Sequence, residues 1–482
     1  MLNKSTKIGA TIGPACDSVT TLVKMIKAGM NFARLNFSHG DHKSHAILIK
    51  NIRSAEEKTG IPVAIMGDIR GPRIRLGGMV KECVLIKHGD ILTFVVGSRS
   101  SKKEKEVLVD CPEEILKFLK KGHTILIDDG NVEVKVLKVG KNSFEALVLE
   151  GERLCPHKGL NFPDSHLDIP PISEKDKKDL EFCVKQEVDA IAMSFVTCAQ
   201  DILDLKYLIK KFEKKYKKKE KQEIFIVAKI ERYEAVDNID EIIDVTDGVM
   251  VARGDLGLEL KQSMVPVTQK SIIEKCNKAA KPVIVATQML DSMQEKKRPT
   301  RAEVSDVANA VVDHSDGLLL TNETAAGKHP VLTVNTMSEI ILDTEKSDFD
   351  DLNLPLTHKR GESIDLAISE LSRTLAEEVG AKLILAASIT GGTGRLISHV
   401  RPNMPILVAT NSKRSWRQLS LSWGVRSFIL PPVKTIEELV ERSVSYIKTK
   451  KIAKKKDLMI IVTGEPVGHA GNVNLVEVRE IK

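Results

Sequence analysis

The sequence predicts an α/β protein: a (β/α)8 barrel, a small inserted β-barrel lid and a C-terminal α/β domain. Three observations carry this. Eight short apolar runs recur before residue 345, and most are followed by helical spacing. A strand-like stretch, residues 73–168, interrupts the series after the third run. Beyond residue 345 one long amphipathic helix is followed by further strand-sized runs.

The eight runs are residues 7–12, 32–36, 63–68, 190–195, 224–230, 248–252, 283–287 and 317–321. Each is short and nearly all apolar, as expected of a parallel strand covered on both faces. Helical spacing follows, for example, over 18–28, where Val19, Leu22, Val23 and Ile26 share one face and Gly29 is the stop. Residues 300–312 and 330–342 read the same way. Inside the insertion, ECVLIKHGDILTFVV alternates with period two, and TILIDDGNVEVKVLKV is a hairpin turning at Asp129 and Gly130. The chain returns to the barrel through the stiff Ile169-Pro170-Pro171, so a small β domain over the barrel mouth would act as a lid. A polar linker, SDFDDLNLP, precedes a helix over 362–379 and strands over 383–387, 406–409, 427–430, 458–462 and 475–478. The expected domains are therefore 1–72 with 169–345, 73–168, and 346–482.

Composition narrows the function classes. No apolar run approaches the ~20 residues of a membrane span, and MLNKSTKIGATIGP lacks an apolar signal core, so a cytoplasmic location is expected. Seven scattered cysteines without a CxxC pair fit reduced thiols, with neither a disulfide framework nor zinc. The net charge of +7 is modest, and its densest run, KKFEKKYKKKEKQE, interleaves glutamates at helical spacing. A solvated helix end is favoured there over nucleic-acid binding, while scattered positive charge suits small anionic substrates.

The run ends carry the chemistry. The second run leads into Arg34, Asn36, Ser38 and His39, the third into Asp68, Arg70, Arg73 and Arg75, and the fourth ends at Ser194. The fifth gives Lys229 and Glu231, the sixth Gly254 and Asp255, the seventh Thr287 and Gln288, and the eighth Asn322 and Glu323. Any one could be a cap or a surface ion pair, but polar ends on so many strands at one barrel mouth argue for a shared site. Arg34 and Arg75 suit forked binding of phosphate oxygens. Glu231 and Asp255 supply hard oxygen ligands for Mg²⁺ or Mn²⁺, and Lys229 can stabilise charge on a moving phosphoryl group. Backbone N–H groups at Gly254-Asp255 could hold a carboxylate. No GxxxxGK[ST] loop and no GxGxxG occur, so neither a P-loop nor a dinucleotide fold is indicated.

These residues closely resemble the pyruvate kinase family. ATIGP, GMNFARLNFSHG, KGLNFP, SEKDKKDL, IAMSF, AKIER, DGVMVARGDLG, KPVIVATQMLDSM and RPTRAEVSDVANAV match in order, as do RPNMPILVAT and VTGEPVGHAGNVN near the end. The resemblance implies a TIM barrel with a β lid and a C-terminal α/β domain. It implies phosphoryl transfer from phosphoenolpyruvate to ADP, giving pyruvate and ATP. Lys229 would stabilise the transferring group, Glu231 and Asp255 would bind Mg²⁺, and Arg34 with the Gly254-Asp255 backbone would hold phosphoenolpyruvate. Thr287 would assist protonation of the enolate. Asn36, His39, Arg75 and Lys158 would contact nucleotide. Asn36, Ser38, Asp68 and Ile69 would line a monovalent-cation pocket. A homotetramer is also implied by the resemblance, whereas the charge pattern and the short apolar runs lead us to expect no nucleic-acid or membrane partner.

The chain departs from the family at GDIRGPRIR, where LDTKGPEIR is usual. Ile69 stands for a threonine and Arg73 for a glutamate, so a fixed cation replaces an acid near the pocket. We expect K⁺ to be dispensable, with Arg73 supplying the missing charge; the competing reading has Arg73 facing solvent and K⁺ bound at Asp68. TNETAAG replaces SGETAKG, putting Asn322 where a glycine is usual. In SITGGTGR, residues Ser388, Thr390, Gly391 and Thr393 stand where the family binds an effector, here a sugar phosphate or nucleotide; a plain strand-to-helix turn is the alternative. The competing function is a catalytically impaired paralogue that only binds metabolites. The presence of Lys229, Glu231 and Asp255 favours the active kinase.

Overall fold

The computed structural model describes residues 4–72, 74–79, 82–97, 106–111, 113–165, 169–216, 222–350, 364–464 and 473–482. The eight apolar runs form eight parallel strands: Lys7–Thr11, Met30–Asn36, Ala64–Ile69, Ala190–Met193, Phe225–Ile230, Gly248–Ala252, Val283–Ala286 and Gly317–Leu320. They close into a barrel in sequence order, with Gly317 paired to Lys7 at the closure. The helix Val19–Ala28 is capped by the Ser18 side chain and stopped by Gly29 in the left-handed region (φ 117°). Thr300 and Glu303 form a capping box on Arg301–Val312.

Strand parity decides what faces the barrel axis. Phe32, Ala64, Met66, Ala190, Ala192, Phe225, Val227, Met250, Ile284, Ala286 and Leu319 form one interior cluster. Their alternate neighbours, such as Ala33, Leu35, Ile65, Ile226, Ala228 and Ile230, join the larger cluster beneath the helices. Continuing each inward series in steps of two residues reaches Arg34 and then Asn36 on the second strand, and Asp68, Ser194 and Lys229 on the third, fourth and fifth. The fold therefore delivers these polar side chains to the axis at the C-terminal mouth. Ile69 has the outward parity and is fully buried in the outer cluster, so it brings no side-chain oxygen to the expected cation pocket.

The insertion is a seven-stranded sheet whose edge strands are Leu160–Asn161 and Arg75–Leu76. A bridge between Arg75 and Gly159 joins those edges. Along this seam Leu76 N–H donates to Lys158 O (2.8 Å), His157 N–H to Leu76 O (3.0 Å) and Leu160 N–H to Ile74 O (3.0 Å). The sheet thus curls into the small barrel expected of the lid. The predicted hairpin is present, with Ile127 paired to Val132 and Asp128, Asp129 and Gly130 all at positive φ in the turn.

One expectation is overturned. Cys83 and Cys155 form a disulfide, so the chain does not hold only reduced thiols. Cys83 precedes Val84–Leu85 and Cys155 follows Arg153–Leu154, and these pieces pair antiparallel as a separate ribbon. A sequence separation of 72 residues hid the pairing, because spacing carries no information on strand register. The other five cysteines are free.

The C-terminal region is a five-stranded sheet, parallel except for its last strand, Leu475–Glu480, which pairs antiparallel with Leu458–Thr463. The predicted helix is Ile364–Glu378. Only the first part of the predicted linker falls among the described residues, as a short 3-10 turn at Asp348–Asp350. No helix among the described residues is long and apolar enough to cross a membrane.

This region docks on the N-terminal base of the barrel. Leu421 caps the interior cluster. Arg417 makes a forked ion pair with Glu56, its shortest contact 2.7 Å. Lys7 Nζ donates to Val425 O (2.7 Å). Arg401 is 5% exposed, contacts Asp316 at 3.1 Å and donates to His314 O at 2.8 Å. Its guanidinium also lies over the Trp423 ring. Removing one member of a buried ion pair strands the other, so Arg401→Met is expected to cost about 3–5 kcal/mol. A fall of several degrees in the thermal midpoint checks this, and an unchanged midpoint would show that the clamp is dispensable.

Candidate active site

At the barrel mouth Lys229 is the hub. Its Nζ lies 2.7 Å from Glu231 Oε1, 2.7 Å from Ser194 Oγ and 3.3 Å from Asp68 Oδ1. Arg34 grips the other oxygen of Asp68 through Nε (2.7 Å) and Nη2 (2.6 Å), and its Nη1 donates to Thr11 Oγ1 (3.1 Å). Glu231 is 1% exposed, and its Oε2 accepts from the Phe195 N–H (2.8 Å). Two cations and two carboxylates from three strands and one strand end thus share a nearly dry pocket.

Burial and charge oppose each other here. Burial disfavours ionised Asp68, yet Lys229 and Arg34 outweigh it and hold its carboxyl below the ordinary value. Burial likewise disfavours charged Lys229, but Asp68 and Glu231 keep it protonated and push its value up. Glu231 goes the other way: burial pushes it up to about 6, Lys229 opposes this and Asp255 adds to it. A carboxylate held near a second carboxylate in a buried pocket is a place that gains from a cation. Among the described residues no cluster of three or more His, Cys, Asp or Glu could hold a metal. Two carboxylates suit Mg²⁺, which keeps its other positions for water and substrate oxygens.

The sixth and seventh strand ends complete the mouth. A helix, Arg253–Glu259, starts directly after Ala252 and carries Gly254 and Asp255 in its first turn. Thr287 follows Ala286 with φ 74°, strained for a β-branched residue. Its Oγ1 accepts from the Gly254 N–H (2.8 Å) and donates to Ala286 O (2.6 Å). The Gly254 N–H, expected to meet a substrate carboxylate, is bonded to Thr287 in this state.

Family models for "Pyruvate kinase, barrel domain" and "Pyruvate kinase, alpha/beta domain" match residues 3–334 and 366–479. The chain belongs to the pyruvate kinase family. It is 41% identical to the pyruvate kinase of Geobacillus stearothermophilus over 100% of this chain and 81% of that protein. With the Clostridium acetobutylicum enzyme the identity is 37%, over 99% of this chain and 100% of the other. A crystal structure of a pyruvate kinase from Cryptosporidium parvum superposes with a TM-score of 0.90 at 34% identity, covering 100% of this chain and 97% of that one. The protein is accordingly a phosphotransferase of glycolysis.

Other expected site residues of this pyruvate kinase family member are placed as follows. Asn36 Oδ1 accepts from the Ser38 N–H (3.0 Å), and the His39 carbonyl accepts from His45 (2.9 Å), which fixes the loop after the second strand. Arg75 and Lys158 meet on the lid seam: Arg75 Nη1 donates to His157 O (2.7 Å) and Lys158 Nζ pairs with Asp128 (2.7 Å). Arg73, on which the potassium expectation rests, lies outside the described residues. Glu323, read as a mouth residue, is fully buried and accepts from the backbone of Leu290 (3.2 Å) and Thr321 (2.7 Å), tying two loops together. In the loop expected to bind an effector, Ser388 N–H donates to Ala409 O, Gly391 has φ 82° and precedes the helix Gly392–His399, and Thr393 is buried. The Thr390 carbonyl accepts from Arg395 (3.1 Å).

Three contributors carried no assigned role in the sequence reading. Ser194 touches Lys229, and strand parity alone would have found it. Thr11 orients Arg34. Arg253 donates to Thr287 O (2.8 Å) and pairs with Asp306 (2.7 Å), bracing the strained threonine. Arg253 sits between Ala252 and Gly254 and gave no pattern signal.

Proposed function

We propose that the mouth pocket transfers the phosphoryl group of phosphoenolpyruvate to ADP, releasing pyruvate and ATP. The observation that carries this is the fifth strand: Lys229 and Glu231, buried in contact, bring a phosphoryl-binding cation and a metal ligand to one point. Glu231 and Asp255 would hold Mg²⁺ or Mn²⁺, which supplies charge neutralisation and a fixed seat for substrate oxygens. Arg34 binds the phosphate by its guanidinium fork. Lys229 stabilises charge that spreads over the transferring group. Thr287 would help deliver a proton to the enolate carbon through its hydroxyl, and its release of the Gly254 N–H would free that donor for the substrate carboxylate. Asn36, His39, Arg75 and Lys158 contact the nucleotide, the last two from the lid. The three units are taken as 1–72 with 169–345, 73–168, and 346–482. A homotetramer and a phosphate-bearing effector at Ser388, Thr390, Gly391 and Thr393 belong to the same reading, as does a cytoplasmic location.

Mixing the protein with phosphoenolpyruvate, ADP and Mg²⁺ tests the reaction. Equal amounts of pyruvate and ATP, abolished by a chelator, are expected. No product would favour a metabolite-binding paralogue.

Potassium independence rests on Arg73 and on the ion pairs of Asp68. That carboxylate is already engaged by Arg34 and Lys229, so it gives a monovalent cation little uncompensated charge. Activity is expected to be the same in potassium-free buffer and after K⁺ addition. Strict K⁺ dependence would end this proposal and leave the kinase reaction standing.

A further inference from the structure

We infer that Cys83 and Cys155 form a reversible thiol–disulfide switch that sets nucleotide affinity through the lid seam. This rests on the assignment of Arg75 and Lys158 to the nucleotide.

Register places the two sulfurs together. Arg153 pairs with Leu85 and Leu154 with Val84, and one more step along the ribbon sets Cys155 opposite Cys83. Their Cα atoms are 4.3 Å apart, as for directly opposed residues of an antiparallel pair. Ile86 N–H donates to Glu152 O (3.0 Å) beyond the pair. The backbone therefore holds the thiols face to face before any bond forms. Both cysteines are half-buried and Leu85 beside them is 85% exposed, so the ribbon is open to small solutes.

The bond sits where it matters for the lid. Two residues after Cys155, His157 accepts from Arg75 and donates to Leu76; Lys158 follows, its carbonyl bonded to Leu76 and its ammonium to Asp128. Both nucleotide cations thus lie on the seam that closes the lid barrel. That seam is made of two-residue strands, too short to be rigid alone. His157 is held at φ 64°, a conformation that its surroundings must impose. With the disulfide formed, the chain entering the seam is anchored, and Arg75 and Lys158 are preorganised for a polyphosphate. With two thiols, only the short ribbon anchors it.

The exchange is balanced with a low-molecular-weight disulfide, RSSR. One cysteine thiolate attacks RSSR, breaking its S–S bond and releasing one thiolate. The second cysteine thiolate then attacks the mixed disulfide and releases the other. Two protein S–H groups lose two protons and two electrons, and RSSR becomes two RSH. A dithiol reductant reverses the sequence.

The test compares the full-length protein after treatment with glutathione disulfide and after a dithiol, each form verified by an intact mass differing by two hydrogens. The oxidised form is expected to show a KM for ADP about 3- to 10-fold lower, with the KM for phosphoenolpyruvate unchanged. The double variant Cys83→Ser/Cys155→Ser should show the reduced-form value after either treatment. Equal KM values for ADP in the two verified forms, or a double variant that still responds, would overturn the switch. Arg75→Ala, assayed in the reduced form, tests the nucleotide assignment separately by a raised KM for ADP. If Arg75→Ala has that effect while redox state has none, only the switch is lost. A redox effect confined to phosphoenolpyruvate would overturn the nucleotide arm itself.

Discussion

Replacing Lys229 with methionine will lower kcat by about 10³-fold, with the KM values for both substrates changed far less. The reason is differential: charge spreads over the phosphoryl oxygens only as transfer proceeds, so a fixed ammonium there acts mainly on the transition state. Lys229 is built for that task. Asp68 and Glu231 keep it charged in a pocket that would otherwise neutralise it, and Ser194 fixes its direction. Methionine keeps the length and apolar stem. Asp68 stays paired with Arg34 and Glu231 keeps the Phe195 N–H, so the fold should survive. Steady-state kinetics with a circular-dichroism control check it. A kcat within a few-fold of the parent would remove Lys229 from the transfer step.

The second large effect is expected at Glu231→Gln. The amide keeps the shape and can still accept from Phe195, but it removes one of the two negative charges offered to the metal. At a fixed Mg²⁺ concentration the rate should fall by about 10²-fold or more, and part of it should return as Mg²⁺ is raised. Lys229 keeps Asp68 and Ser194, so a fall in rate without loss of the thermal midpoint is the expected signature. A rate loss that no concentration of Mg²⁺ relieves would mean that Glu231 acts by orienting Lys229 instead.

Much of the barrel was legible because its physics is local. An apolar run of strand length, a helix cap and a glycine stop each report on a few neighbours. The site was legible for a related reason: period-two alternation carries Phe225 and Val227 to Lys229, and Ala64 and Met66 to Asp68. Taken strictly, the same parity would have put Ser194 in the pocket and Ile69 outside it. What stayed hidden depends on register between distant segments. The Cys83–Cys155 bond joins residues 72 apart, and the lid seam is made by two-residue strands that leave no periodic trace. Glu323 misled because a carboxylate after a strand reads the same whether it faces substrate or caps buried N–H groups. Only its full burial, with Leu290 and Thr321 as partners, separates the two. The bond from Gly254 to Thr287 depends on a positive φ at residue 287, which β-branched residues rarely adopt.

The most direct measurement of the central claim is anomalous diffraction from crystals grown with Mn²⁺ and oxalate, a planar dicarboxylate that mimics enolpyruvate. A single Mn²⁺ between Glu231 and Asp255, with oxalate reaching toward Lys229 and Thr287, is the result that phosphoryl transfer at this mouth predicts. Mn²⁺ bound elsewhere, with Lys229 and Glu231 still locked to each other and oxalate absent, would contradict it.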